Sequence, residues 1–403
     1  MVTNMTECKY NETVWNQKMD VIYTYFYLIL FIPGLLLNTT ALWVLLRYIS
    51  KKTKAVIFMI NLAIADLAHI LSLPLRIYYY FTHTWPFGRG LCLFCFYLKY
   101  LNMYAAIVFL VCISMQRCLF LQKPFTARRW RRRYDLLISF VVWVVVGLGC
   151  SPFILMRSSN NGSNNEVALN STHAQLPLGV TLGVTKQPLT LSTQSLDSNA
   201  NSAGCFKDLP MRHPPLSVTI TMLVFLEACG FLIPLACMSY STVRIFWSLK
   251  EKQIQDQHNS FNSSARNRLH SVTSNCQAEK LNEKQTNGEK RRALRMVVGC
   301  FILFLFCFAP YHLNFALYLM VKQSIVSSCT VSRVALQFHP VSLCMAGLSC
   351  CFNPILYYFL TAEFRMHLKR RTSSFSSSIS SPTTSPTQCP LQSRLMSTSS
   401  YRE

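Results

Sequence analysis

Arg76, Lys99, Glu227 and His312 are ionisable side chains embedded in long apolar runs of the chain. Such groups are costly in that setting and ordinarily line a cavity or meet a partner. Pro74, two residues before Arg76, lacks an amide and can bend a helix. Lys99 lies seven residues past Cys92, about 10 Å along a helix axis. Two cations at similar depth need an anion, and Glu227 alone cannot neutralise both. The set points to an outward-facing pocket for an anionic ligand, with Tyr78, Tyr79, Tyr100, Tyr104, Tyr311 and Phe315 as candidate aromatic wall. The bland alternative for either cation is snorkelling to headgroup level.

A second set, Asn38, Asp66 and Asn353, occupies compatible depths in three runs. It reads as a polar cluster around water or a cation, or as a structural hydrogen-bond knot. Catalysis is not supported. A membrane enzyme would need paired aspartates, a Ser/His couple or a His-rich metal set, and the nine histidines show no such spacing. His69 and His339 read as packing residues. The expectation is a protein that is no enzyme and needs neither metal nor cofactor.

The elements that position these residues are seven apolar stretches, 21–46, 57–81, 91–121, 136–156, 216–243, 296–321 and 334–361. A spanning helix needs about 20 apolar residues, and amides in hydrocarbon must be satisfied within the segment. The expected fold is an all-α membrane protein, a seven-helix bundle over 21–371 closed by a short amphipathic helix over 361–371. There Phe364 and Leu368 would face lipid while Arg365, Lys369 and Arg370 meet headgroups. The chain is 51% hydrophobic, 14% charged and carries a formal +23. The cations crowd alternate loops: Arg47 to Lys54, Lys123 to Arg133, Lys290 to Arg295, and Arg365 to Arg371. Positive loops stay cytoplasmic, which places residues 1–20 outside and the tail 372–403 inside. The same charge belongs with anionic lipid and not with nucleic acid.

No cleavable leader is evident in the polar first twenty residues. Glycosylation sequons at Asn4, Asn11, Asn161 and Asn170 fall on the side expected to be outside. Of 17 cysteines, eleven sit in or at the edge of spans, where the thiol is a small apolar packing group. Four are on the outer side, Cys8, Cys92, Cys205 and Cys329, and allow three pairings. Cys92 at the top of the third span and Cys205 just before the fifth are natural partners, leaving Cys8 for Cys329. Cys276 and Cys389 face the cytosol as reduced thiols, or in Cys389 as a lipid acceptor. Composition marks 158–204 and 372–403 as disordered and 253–286 as a loose inner loop. No internal repeat appears, which weakens a transporter or channel reading.

These residues also form motifs. Asn38 follows Gly34, and Asp66 ends the run from Asn61. Trp85-Pro86-Phe87-Gly88 precedes Cys92, and Arg117 lies twenty-five residues beyond it. Trp143, Pro234, Cys307-Phe308-Ala309-Pro310-Tyr311-His312 and Asn353-Pro354-Ile355-Leu356-Tyr357 follow in order. In this order the chain resembles the rhodopsin-like G-protein-coupled receptors from its first span to the helix after its seventh. Within them, Leu71 to Tyr80, Cys95 to Tyr100 and Phe308 to His312 look like the P-two-Y-type purinoceptor-like group, most closely a lysophosphatidylserine receptor of that series.

The resemblance implies a plasma-membrane receptor with activation residues Arg117, Asp66, Asn353, Pro354, Tyr357, Phe308 and Pro310. It implies an outward swing of the sixth helix that opens a G-protein cavity, Rho-activating G proteins favoured. It also implies receptor kinases and arrestin at the Ser/Thr tail. Its ligand set would be Arg76, Lys99, Tyr100, Glu227, Tyr311, His312 and Phe315. Nucleotide-binding relatives carry a basic residue where Phe315 stands, so an anionic lysophospholipid, lysophosphatidylserine first, fits better than a nucleotide. Two departures stand out: Gln116-Arg117-Cys118 replaces Asp-Arg-Tyr, implying some ligand-independent activity, and Ala106 replaces a Ser usual near the Asp66 cation site.

Overall fold

The computed structural model describes residues 12–48, 56–155, 205–206, 215–266, 275–326 and 328–360. Among them there are helices and no strand: α1 (Glu12–Tyr48), α2 (Val56–Thr82), α3 (Arg89–Gln122), α4 (Pro124–Arg129), α5 (Arg132–Leu155), α6 (Leu216–Glu227), α7 (Ile233–Arg266), α8 (Asn275–Cys307), α9 (Ala309–Lys322), α10 (Cys329–Gly347) and α11 (Ser349–Leu360). Seven spans result, each long and apolar enough to cross a membrane. α1, α2, α3 and α5 are the first four. The fifth is α6 joined to α7 through a π-helical turn, Ala228–Leu232. The sixth is α8 with α9, and the seventh is α10 with α11.

Prolines account for the divisions. Pro310 cannot donate to the carbonyl four residues back, and the sixth span breaks at Phe308, between Cys307 and Ala309. Pro234 likewise leaves the Gly230 carbonyl without its helical donor, and the turn before it relaxes into the π form. Pro354 frees the carbonyl of Cys350. Here the loss is repaired in another span, because the Asn38 amide donates to that oxygen at 2.7 Å.

The third span is the axle of the bundle, packing against the second, fourth, fifth and sixth. Its middle, Ala105 to Leu110, is buried almost completely. Large apolar side chains such as Ile29, Phe140, Leu148 and Leu313 point outward, as hydrocarbon-facing residues must, since lipid is as apolar as they are.

Three expectations about boundaries need correction or limits. The first helix starts at Glu12, inside the segment assigned to the outer terminus. The inner stretch expected to be loose is helical over most of its length, since α7 continues to Arg266 and α8 begins at Asn275. The start of α8 is rich in Lys, Glu and Gln, all good helix formers, so a polar composition there did not mean irregular backbone. The helix over 361–371, the outer-loop insertion 158–204 and the tail 372–403 lie outside the described residues.

Candidate ligand pocket and transmission core

Arg76 is 2% exposed despite its charge. Its Nη2 donates to the Cys95 carbonyl of the third span, and its guanidinium lies 4.5 Å from the centre of the Phe206 ring. Phe206 is delivered by the disulfide between Cys92 and Cys205, whose Cα atoms are 5.9 Å apart. It wedges between Tyr79, Tyr80 and Trp85. The Lys99 ammonium lies 5.9 Å from the Tyr23 ring centre. Among the described residues, neither cation has a carboxylate within 4 Å. Lys99 lines a small enclosed cavity with Tyr27, His69, Asn102 and Tyr100.

Glu227 and His312 form a separate pair across the fifth and sixth spans, with Glu227 Oε1 3.4 Å from His312 Nδ1. Tyr104 meets the imidazole edge-on and Phe231 stacks on it, ring centres 5.8 and 5.7 Å away. His312 Nε2 is buried with no partner among the described residues. The approach depends on Gly230 in the π turn. A Cβ there would lie 2.7 Å from Tyr104 and 2.8 Å from His312, below any tolerable contact. Among the described residues, no hydrogen bond or ion pair joins this pair to Arg76 or Lys99.

An apolar cleft is lined by Phe96, Tyr100, Phe153, Met222, Leu226 and Phe315, together with Tyr318 and His339. Tyr100 lines both this cleft and the Lys99 cavity, and its ring stacks on Phe153 at 4.3 Å. Tyr311 stacks on Phe315 at 5.2 Å. Of the expected aromatic wall, Tyr78 instead faces outward against Phe87, and Tyr79 packs under the disulfide. His69 and His339, read as packing residues, line the cavity and the cleft. Phe206 escaped the sequence reading, although its place beside a bridged cysteine was the available signal.

Deeper in the bundle, Asp66 is fully buried. It accepts from Asn102 Nδ2 at 2.8 Å and Asn353 Nδ2 at 2.9 Å. The expected trio of Asn38, Asp66 and Asn353 is therefore corrected. Asn38 is occupied by the Cys350 and Gly34 carbonyls, and Asn102, one turn past Lys99, takes its place. Phe308 is fully buried at the break before Pro310 and packs on Phe304. Arg117 lies near the inner end of α3. Below it Cys118, Ile245, Leu249 and Val297 form a buried apolar seal between the third, fifth and sixth spans.

The family model described as "7 transmembrane receptor (rhodopsin family)" matches residues 37–174 and 179–357. The chain belongs to this family. Its members are signalling receptors and not enzymes, multi-pass proteins of the plasma membrane that couple to G proteins. A Mus musculus protein, named as the putative tenth purinoceptor of the P-two-Y series, is 46% identical over 88% of this chain and 88% of its own. "Probable G-protein coupled receptor 174" of Homo sapiens is 40% identical over 87% and 86%. "Lysophosphatidic acid receptor 6" of Homo sapiens is 27% identical over 92% and 88%.

The receptor's other expected features fall partly beyond the described residues. Cys329 is disulfide-bonded, while its expected partner Cys8 lies outside them, as do Asn4, Asn11, Asn161 and Asn170. The Tyr357 side chain lies outside the description too, whereas Pro354 is placed inside α11.

Proposed function

We propose that this receptor is activated from the outer side by an anionic lysophospholipid, lysophosphatidylserine first, and signals through G proteins of the Rho-activating class. One observation carries the reading. Among the described residues Arg76 and Lys99 have no carboxylate within 4 Å, and the Lys99 cavity shares Tyr100 with an apolar cleft. Phosphate and serine carboxylate would take charge-assisted hydrogen bonds from the two cations. The acyl chain would occupy the cleft past Phe153, Met222 and Phe315. Glu227 would receive the serine ammonium, with His312 adding a hydrogen bond. A relative named as a lysophosphatidic acid receptor supports the lipid class, and Phe315 supplies no charge for a polyphosphate. The basic inner loops support an outer amino terminus, with the Ser/Thr tail as substrate for receptor kinases and a contact for arrestin.

The test is nucleotide exchange on a purified G protein by the full chain in lipid nanodiscs. Lysophosphatidylserine should stimulate it, lysophosphatidylethanolamine less, and nucleoside di- and triphosphates not at all. A nucleotide that outcompetes the lipid at equal concentration, or a lipid response untouched by Arg76→Ala, overturns the reading.

A further inference from the structure

Gln116 stands where Asp-Arg-Tyr relatives place an acid, and the structure shows what it does instead. Gln116 is buried, and its Nε2 donates to Asp135 Oδ1 at 2.7 Å. Asp135 belongs to another element, the first turn of α5, where a negative charge is favoured by the helix N-terminus. The same oxygen accepts the indole N–H of Trp130, also at 2.7 Å. Trp130 closes the loop helix α4, its backbone amide bonding to the Thr126 carbonyl and its ring packing edge-on against Phe120 of the third span at 5.6 Å. Asp135 is anchored behind: Ser139 donates to its carbonyl, Asn61 of the second span donates to Ser139, and Trp143 donates to Asn61.

A six-residue helix cannot persist on its own propensity. α4 has one buried side chain, Ala127, and its far end is held by Trp130. Its position against the third span therefore depends on the carboxylate that both Gln116 and Trp130 grip. We propose that Gln116, Asp135 and Trp130 form a clasp that positions the inner-loop helix against the third span and so sets the efficiency of G-protein coupling. The clasp borrows its carboxylate from the fourth span, in place of an acid beside Arg117. These are positioning residues, acting through α4.

The proposal rests on coupling to a G protein and not on the identity of the agonist. The experiment is exchange by the purified full chain in nanodiscs, per monodisperse receptor, without lipid ligand and with lysophosphatidylserine. Assayed at alkaline pH, where the pair is least able to share a proton, Gln116→Glu sets a second carboxylate against Asp135 and should lower exchange about tenfold, the scale of a lost charged hydrogen bond. Asp135→Asn keeps an acceptor and should stay within about threefold. Both donors meet one oxygen of Asp135, so the double variant Gln116→Glu, Asp135→Asn needs the new amide to turn, its Nδ2 to the new carboxylate and its oxygen to Trp130. It should recover part of the native rate. Such rescue is a coupling between two sites that general destabilisation does not produce. Trp130→Phe removes the N–H and part of the indole while keeping an aromatic face toward Phe120, and should cost about threefold; it decides the matter if Gln116→Glu yields no folded protein. Native exchange by Gln116→Glu or Trp130→Phe, or a double variant no better than Gln116→Glu, overturns the clasp. A native chain that ignores the lipid sinks the ligand reading alone, because the lipid-free rates still rank the variants.

Discussion

The two halves of this receptor's bundle treat buried cations and buried carboxylates differently. Toward the end that holds the Cys92–Cys205 disulfide, Arg76 and Lys99 have no carboxylate within 4 Å, and His312 Nε2 is buried without a partner, among the described residues. Below them, Asp66 and Asp135 are each gripped by two neutral N–H donors from other elements. A buried polar group left unmatched is expensive, whereas a matched one rigidifies its surroundings. On the proposed reading, the difference separates cations that would take up an anion from carboxylates already held by donors. It also separates the effects expected of mutation: outer changes should alter what the receptor senses, and inner changes what it transmits.

The sharpest break of that contrast is Arg117→Ala. It should abolish exchange, a loss of more than about a hundredfold, equal to nearly 3 kcal/mol, with ligand affinity preserved in a direct binding assay. Unimpaired exchange would remove Arg117 from transmission. Next come Arg76→Ala and Lys99→Ala. Truncating one partner of a desolvated charge pair costs about 2–5 kcal/mol, so the half-maximal lysophosphatidylserine concentration should rise roughly 30-fold or more. The maximal response should be kept, and a full dose–response curve for each variant reads both.

Asp66→Ala tests the inner side from a different direction. It strands the amides of Asn102 and Asn353, at about 1–3 kcal/mol for each buried donor, and should lower the thermal midpoint of the ligand-free receptor measurably. Arg76→Ala removes a cation without a carboxylate but also its bond to Cys95 and its contact with Phe206, and should lower that midpoint less. Equal destabilisation by both would erase the distinction drawn between the halves. The smallest effect is expected of Glu227→Gln, a few-fold loss of potency for lysophosphatidylserine and none for a lysophospholipid without an amine. A parallel loss for both lipids would place Glu227 with His312 as structure alone.

Much of this was legible in the residues. Seven runs of about 20 apolar residues cannot satisfy their amides in hydrocarbon except as helices, so the bundle is a local consequence of composition. The costly ionisable residues announced themselves, and Cys92 with Cys205 could be matched by their places at the ends of spans. What could not be read was which group meets which. Asn38 and Asn102 are chemically alike and sit at similar depths. Only the break that Pro354 makes at the Cys350 carbonyl draws Asn38 away and leaves Asp66 to Asn102. The four ionisable residues of the outer set likewise divide into Arg76 with Lys99 and Glu227 with His312, because the π turn and Gly230 bring the fifth span onto the sixth. Gln116 looked like the loss of an acid until the fourth span supplied one. Hydropathy and spacing act along one chain and so determined class and depth. Partnership of side chains depends on the rotation and approach of separate helices, set by their mutual packing, and there the tertiary structure decided.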